Sequence, residues 1–252
     1  MADYQLVVRM LWRDLRSGEL TLLVIAVLLA VAALSSVGFV SDRVAQALRR
    51  DAVQLMGGDL LLTSDHPVPA HFVQKAREWG LRETQTLNFN SMVSTDASAE
   101  LAAVKVVENT YPLRGSLLVA AAPGAPGASV SHGPSRGEAW LDDQLLSALR
   151  KQPGDVIEVG YLRLRIAAVI THESDRGMSF SSFAPRLMMS SDDLAASGLI
   201  QEGSRVRYRL LLAGDPVAVE NYARWAKDHL GRGETLESLD NARPEIRSGM
   251  ER

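Results

Sequence analysis

Residues able to do chemistry are scattered along this 252-residue chain, and their spacing argues against an active site. His66, His71, His132, His172 and His229 lack the spacing of a metal centre, and His66 and His71 flank a stretch broken by Pro67 and Pro69. The run Thr171-His172-Glu173-Ser174-Asp175 gathers a hydroxyl, an imidazole and two carboxylates. A catalytic triad needs such groups oriented by a scaffold, not merely adjacent, so the run reads as a solvated loop. Asp142-Asp143 and Asp192-Asp193 stand at the starts of predicted helices, where acids favour the helix dipole, and read as caps. No G-x-x-x-x-G-K-[ST] loop is present, so the chain is not expected to hydrolyse ATP itself, and no G-x-S-x-G elbow supplies a nucleophile. No catalytic, cofactor-binding or metal-binding residue is assigned, and the chain is not expected to be an enzyme.

What remains is binding chemistry. Arg163, Arg165, Arg205, Arg207 and Arg209 alternate with apolar residues and would line polar sheet faces. They read as solvated, with docking of an acidic partner or of lipid headgroups as the functional alternative. Met178, Phe180 and Phe183 sit in the Ser-rich stretch RGMSFSSFAPR and are candidates for contacting a hydrophobic cargo or partner. The net charge of −3 gives no basic footprint for nucleic acid. The absence of cysteine excludes disulfides and thiolate metal sites and leaves the compartment open.

The elements that must position these groups begin with a membrane span. Residues 20–41, LTLLVIAVLLAVAALSSVGFVS, carry no charge and no proline. As a helix they cover about 33 Å, against a hydrocarbon core of about 30 Å. A cleaved secretory signal ending near Ala32 is the alternative, but the apolar run continues past that point. Residues 1–19 contain an amphipathic helix with Arg9, Arg13 and Arg16 on one face and Val7, Met10, Leu11 and Leu15 on another, suited to the headgroup layer. Charge flanking the span is nearly balanced and does not set orientation. Val44, Leu48, Ala52 and Leu55 extend the helix as a stalk over 42–56, and Gly57-Gly58 stops it.

Beyond the stalk the pattern is mixed α/β. A buried-type strand is predicted at 59–64. A helix opened by Pro69 follows, carrying Phe72, Val73, Ala76 and Trp79, and then extended segments at 82–95 and 99–108. Residues 120–137 are rich in Pro, Gly, Ala and Ser and read as a loop. Leu141, Leu145, Leu146 and Leu149 mark a short helix. YLRLRIAAVI alternates as a strand, 171–184 reads as loop, RLMMS as strand, and SDDLAASGL as a short helix capped near Ser191. In SRVRYRLLLAG, Val206, Tyr208, Leu210 and Leu212 face one way and Arg205, Arg207 and Arg209 the other. Asp215-Pro216 then starts a helix burying Val219, Tyr222, Ala223, Ala226 and Leu230. The expected class is α+β: one span with its stalk, a subdomain formed by 57–110 and 203–240, an inserted subdomain over 111–202, and a tail over 241–252.

The segments SGELTLLVIAVLLAVAALSSVGFVSDRV, VQLMGGDLLLTSDHP, YPLRGSL, AWLDDQLL, SFAPRLMM and GSRVRYRLLLAGDP together resemble the permease subunits of the FtsX/MacB/LolC type of ABC transporter, in their YbbP-like branch. The resemblance implies an inner-membrane protein with a cytoplasmic N-terminus and a periplasmic core domain, of which 57–110 with 203–240 is the porter-like part. It implies a separate MacB/LolD-type ATPase subunit that binds the ATP, contact with membrane lipid, and a second permease copy or a periplasmic partner. Relatives move lipoproteins, lipids or other hydrophobic compounds by mechanical work, or regulate cell-wall enzymes. A complete permease of this kind has further spans, so the chain is expected to be an N-terminal fragment. The alternative from another class is a single-pass sensor or adaptor whose outer domain binds a ligand or partner.

Overall fold

The computed structural model describes residues 19–176, 184–201 and 203–238, and the chain divides into two compact units, Met1–Arg50 and Asp51–Arg252. The amphipathic segment expected within 1–19 and the tail over 241–252 lie almost wholly outside the described residues. A single helix, α1, runs over Glu19–Met56. Within it Leu22–Val44 is long and apolar enough to cross a membrane, and none of that stretch is buried by protein. The helix ends at Gly57, whose φ of +76° is costly for any residue with a Cβ; its amide closes on the Val53 and Gln54 carbonyls.

The second unit is built on one sheet of eleven strands. In chain order these are β1 (Leu60–Ser64), β2 (Arg82–Ser94), β3 (Ala99–Val107), β4 (Leu117–Ala120), β5 (Ala128–Val130), β6 (Glu138–Asp142), β7 (Val156–Val159), β8 (Leu162–Glu173), β9 (Arg186–Ser190), β10 (Arg207–Ala213) and β11 (Glu234–Ser238). Helices α2 (Ala70–Glu78), α3 (Asp143–Leu149), α4 (Leu194–Ser197) and α5 (Pro216–Lys227) lie between them. The strand order is β11-β1-β10-β2-β3-β9-β6-β8-β4-β5, and β7 pairs with both β2 and β8. That last pairing closes β2, β3, β9, β6, β8 and β7 into a ring, leaving β11-β1-β10 as an open wing and β4-β5 as a hairpin on β8. Among the described residues, only β3·β9 and β6·β8 are parallel pairs.

Two main cores follow from this closure. On the wing, α2 and α5 cover one sheet face: Phe72, Ala76, Tyr222 and Ala226 pack on Leu60, Leu62, Leu210 and Leu212. Trp79 and Trp225 meet Tyr222 at 6.0 and 5.5 Å, an edge-on and a tilted contact that aromatic quadrupoles favour. Asp215 starts α5 by accepting from the Val217 and Ala218 amides, with Pro216 where an N–H would be unpaired anyway. Inside the ring, Leu145, Leu146 and Leu149 of α3 join Phe89, Val93, Val104, Val106, Leu164 and Ile166. Packing therefore groups β3 and much of β2 with the residues of 111–202.

Several local expectations change. Leu141 belongs to strand β6, not to the helix, which is started by the Asp142 side chain accepting from the Leu145 amide. Strands β4, β5, β7 and β11 are too short to show a period, and β8 continues to Glu173 through part of the expected loop. The cap expected near Ser191 is Ser190, whose side chain accepts from the Asp192 amide.

Candidate functional site

The residues that matter meet where α1 ends. Lys105 lies in β3 among apolar residues, AAVKVV, and both faces of this strand are covered, so Lys105 is fully buried. A buried ammonium is tolerated only when paired and hydrogen-bonded. Its Nζ donates to Glu173 Oε1 at 2.7 Å, to the Asp175 carboxylate at 2.8 and 2.9 Å, and to the Tyr111 hydroxyl at 2.8 Å. The Tyr111 hydroxyl donates in turn to Asp175. Arg186 Nε stands 3.0 Å from Glu173 Oε2 without an aligned hydrogen bond, an electrostatic contact only. Arg209 Nη1 approaches Asp175 at 3.5 Å.

Electrostatics follow the geometry. Burial alone would push the Asp175 carboxyl up, but the Lys105 and Arg209 charges and the hydrogen bonds from Lys105 and Tyr111 hold it below its ordinary range. Burial, then the charges of Asp175 and Glu173, push the Tyr111 phenol well above its usual value, so it stays a neutral donor. The stretch containing Glu173 and Asp175 is thus not the solvated loop its composition suggests: both carboxylates are buried.

The same cluster touches the end of α1. Arg209 Nη2 donates to the Met56 carbonyl at 3.4 Å, one of the orphan acceptors of the helix terminus. A Cβ on Gly57 would meet Leu211 Cδ2 at 2.7 Å and Asp175 Oδ2 at 3.1 Å. The segment after Tyr111 closes the other side. The Arg114 amide donates to the Gly57 carbonyl at 3.2 Å, and its guanidinium forks onto Asp59 at 3.1 and 2.8 Å. Gly115 has φ +83°, and a Cβ there would meet the Gln54 carbonyl at 3.0 Å and Ser174 Cβ at 2.9 Å. Leu113 packs with Leu61, Leu211 and Ala213. The last turn of the long helix is thereby clamped between β10, the 111–116 segment and the ionic cluster.

The other sequence candidates separate. Arg163 and Arg165 are exposed and face Glu158 and Glu138 at 3.9 and 2.5 Å, as expected of solvated strand positions. Arg209 departs from that expectation because Asp175 and Met56 cover it. Arg205 and Arg207 are exposed. His66 bonds Ser64 and Asp65 and lies 3.2 Å from Glu234. Its pKa is raised, first by the Asp65 hydrogen bond. Asp142 caps α3 and also pairs with Arg176 at 2.9 Å, and Asp193 accepts from the Gly137 amide. Met178, Phe180 and Phe183 lie outside the described residues. Sequence reading missed Lys105, Tyr111, Glu173, Asp175 and Arg186 as one group. The usable signal was a lysine inside an otherwise apolar strand.

A long apolar helix whose end is gripped by a charged cluster in a mixed α/β unit suits a membrane component. No protein-family model matches the chain. The chain is similar to a permease of the ABC transporter class, a membrane component and not an enzyme. That relative is the "Uncharacterized ABC transporter permease YbbP" of Escherichia coli (strain K12), 32% identical over 247 residues. The match covers 98% of this chain, and the chain spans 30% of the length of that relative. The resemblance to YbbP-like permeases seen in the separate segments therefore holds along nearly the whole chain. Among solved structures, the periplasmic region of MacB from Actinobacillus actinomycetemcomitans matches at 12% identity and TM-score 0.46, covering 77% of this chain and 95% of that one. The extracellular domain of the noncanonic ABC-type transporter YknZ from Gram-positive bacteria matches at 8% identity and TM-score 0.45, covering 71% and 100%.

Proposed function

We propose that this chain is the first span and extracytoplasmic domain of an ABC permease that works as a mechanical transmitter. A partner ATPase subunit of the MacB/LolD type binds and hydrolyses ATP, and the permease carries the resulting movement across the membrane. The N-terminus is cytoplasmic and the Asp51–Arg252 unit periplasmic. The cargo is hydrophobic or lipid-like, and Met178, Phe180 and Phe183 contact it or a periplasmic partner. The same reading takes 57–110 with 203–240 as a porter-like part and 111–202 as inserted sequence, with β2 and β3 of the first part sharing their core with the inserted strands.

The observation that carries the reading is the continuity of α1. One helix includes the apolar stretch Leu22–Val44 and ends at Met56, where Arg209, Asp175 and the 111–116 segment grip its last turn. A helix transmits displacement only if both ends are fixed, and a gripped terminus supplies one of them. The test is ATP-sensitive co-purification of the full-length protein with its ABC ATPase, followed by insertion of three glycines after Asp51. The reading expects the insertion to abolish transport while ATPase association persists. Transport that survives the insertion, or no ATP-sensitive association, would overturn it. Replacing Met178, Phe180 and Phe183 together with Ser is expected to impair transport by the full-length protein without lowering its thermal stability; unchanged transport removes them from the cargo path.

A further inference from the structure

An open cleft of about 1070 Å³ lies beside the ionic cluster on the sheet face away from α2 and α5. Five arginines line it: Arg176, Arg186, Arg205, Arg207 and Arg209. Three carboxylates do so too, Asp65, Asp175 and Glu237, and of these Asp175 is already committed to Lys105. The chain as a whole is negative, at −3, so this cleft is a local reversal of sign.

The arginines are not equivalent. Arg176 bonds Asp142, Arg186 faces Glu173, and Arg209 is shared between Asp175 and Met56. Arg205 and Arg207 are exposed and lie within 4.0 Å of no carboxylate among the described residues. Arg207 opens β10 and Arg205 sits in the tight turn just before it, where the Val206 amide bonds the Ser204 carbonyl at 3.1 Å, and both arginines line the cleft. Asn88 stands directly across from Arg207 on β2, and its Nδ2 is buried with no hydrogen-bond partner among the described residues. An unused amide donor beside two unused guanidinium forks selects a group rich in acceptor oxygens and negative charge. A tetrahedral phosphate offers more acceptor oxygens than a carboxylate to several donors that line one cleft. Leu55 and Met56 line the same cleft without being buried and supply apolar surface next to the charge.

We infer that this cleft binds a phosphate group through Arg205, Arg207 and Asn88, as carried by a phospholipid-like amphiphile or by a soluble phosphorylated molecule. The inference does not depend on the transport reading, because binding requires neither ATP nor a partner subunit.

The experiment uses the full chain in maltoside detergent micelles. Three probes are titrated by calorimetry: dihexanoyl phosphatidic acid, inorganic phosphate, and dihexanoylglycerol, which has the same chains and no phosphate. Saturable binding of the phosphatidic acid is expected. The double variant R205A/R207A should weaken it roughly tenfold or more, and raising salt should weaken it further. Both substitutions are at exposed positions, and an unchanged melting temperature confirms the fold. The variant R163A/R165A, which removes two arginines elsewhere, should bind as the parent does. Binding of phosphatidic acid and phosphate alike identifies the headgroup as the whole determinant; binding of phosphatidic acid alone adds the chains. Either supports the site. The inference is overturned by no saturable binding, by equal binding of dihexanoylglycerol, by R205A/R207A binding like the parent, or by R163A/R165A losing as much.

Discussion

The two faces of the β11-β1-β10 wing are built by different physics. One is covered by α2 and α5 through Phe72, Tyr222 and the tryptophans, a packing that is mainly apolar. The other carries Arg209 and leads to the buried group of Lys105, Glu173, Asp175 and Tyr111, whose members depend on one another. An apolar face tolerates piecemeal change because each side chain contributes mainly its own area. A buried ionic face does not, since removing one member strands the others without a partner in low dielectric. Helix α1 ends on the interdependent face, so the grip on its last turn is expected to be lost as a unit, where the opposite packing is graded.

Substitutions in the two cores break that contrast most severely. Lys105→Met should destabilise the unit by about 3–5 kcal/mol, measured by urea denaturation of the full chain in micelles, because two carboxylates stay buried without their ammonium. Phe72→Ala should cost a similar ~3–5 kcal/mol by cavity formation. The two losses are expected to separate with pH. The folded Asp175 carboxyl lies below its unfolded value of about 3.9. Its contribution is therefore fully present above pH ~4 and is lost as pH falls through the folded value. Phe72→Ala should keep that acid-side loss, whereas Lys105→Met should flatten it. Equal acid limbs in the two variants would count against the cluster as the source.

A smaller effect is expected at the clamp. Gly115→Ala places a Cβ at φ +83° against the Gln54 carbonyl and Ser174, and should cost about 1–3 kcal/mol in the same denaturation measurement. Smallest is the cap on the helix-covered face: Asp215→Ala removes the acceptor for the Val217 and Ala218 amides and should cost about 0.5–2 kcal/mol, with no effect on the end of α1.

The helix-covered face was legible in the sequence. Leu60-Leu61-Leu62, the spacing of Phe72 and Ala76, the Asp215-Pro216 start and the alternation through Leu210 and Leu212 all report local periods that the fold keeps. The ionic face was not. Lys105 and Glu173 are 68 residues apart, and nothing local says that a polar THESD run will be buried. The misplacement of Leu141 has the same root: one leucine fits both a helix period and the end of a short strand. Likewise Arg209 looks like its neighbours Arg205 and Arg207 until the Asp175 carboxylate, two residues past the end of β8, arrives beside it. The segments VQLMGGDLLLTSDHP and YPLRGSL, separate in sequence, meet at this clamp through Gly57 and Arg114.

Native-state hydrogen exchange on the full chain in micelles tests the clamp most directly. The amides of residues 54–57 at the end of α1 are expected to be protected in the parent. In Lys105→Met they should lose protection together with the amides around Tyr111 and Asp175, as one cooperative unit. A helix end that exchanges freely in the parent, or that keeps its protection when the cluster is broken, would contradict the account.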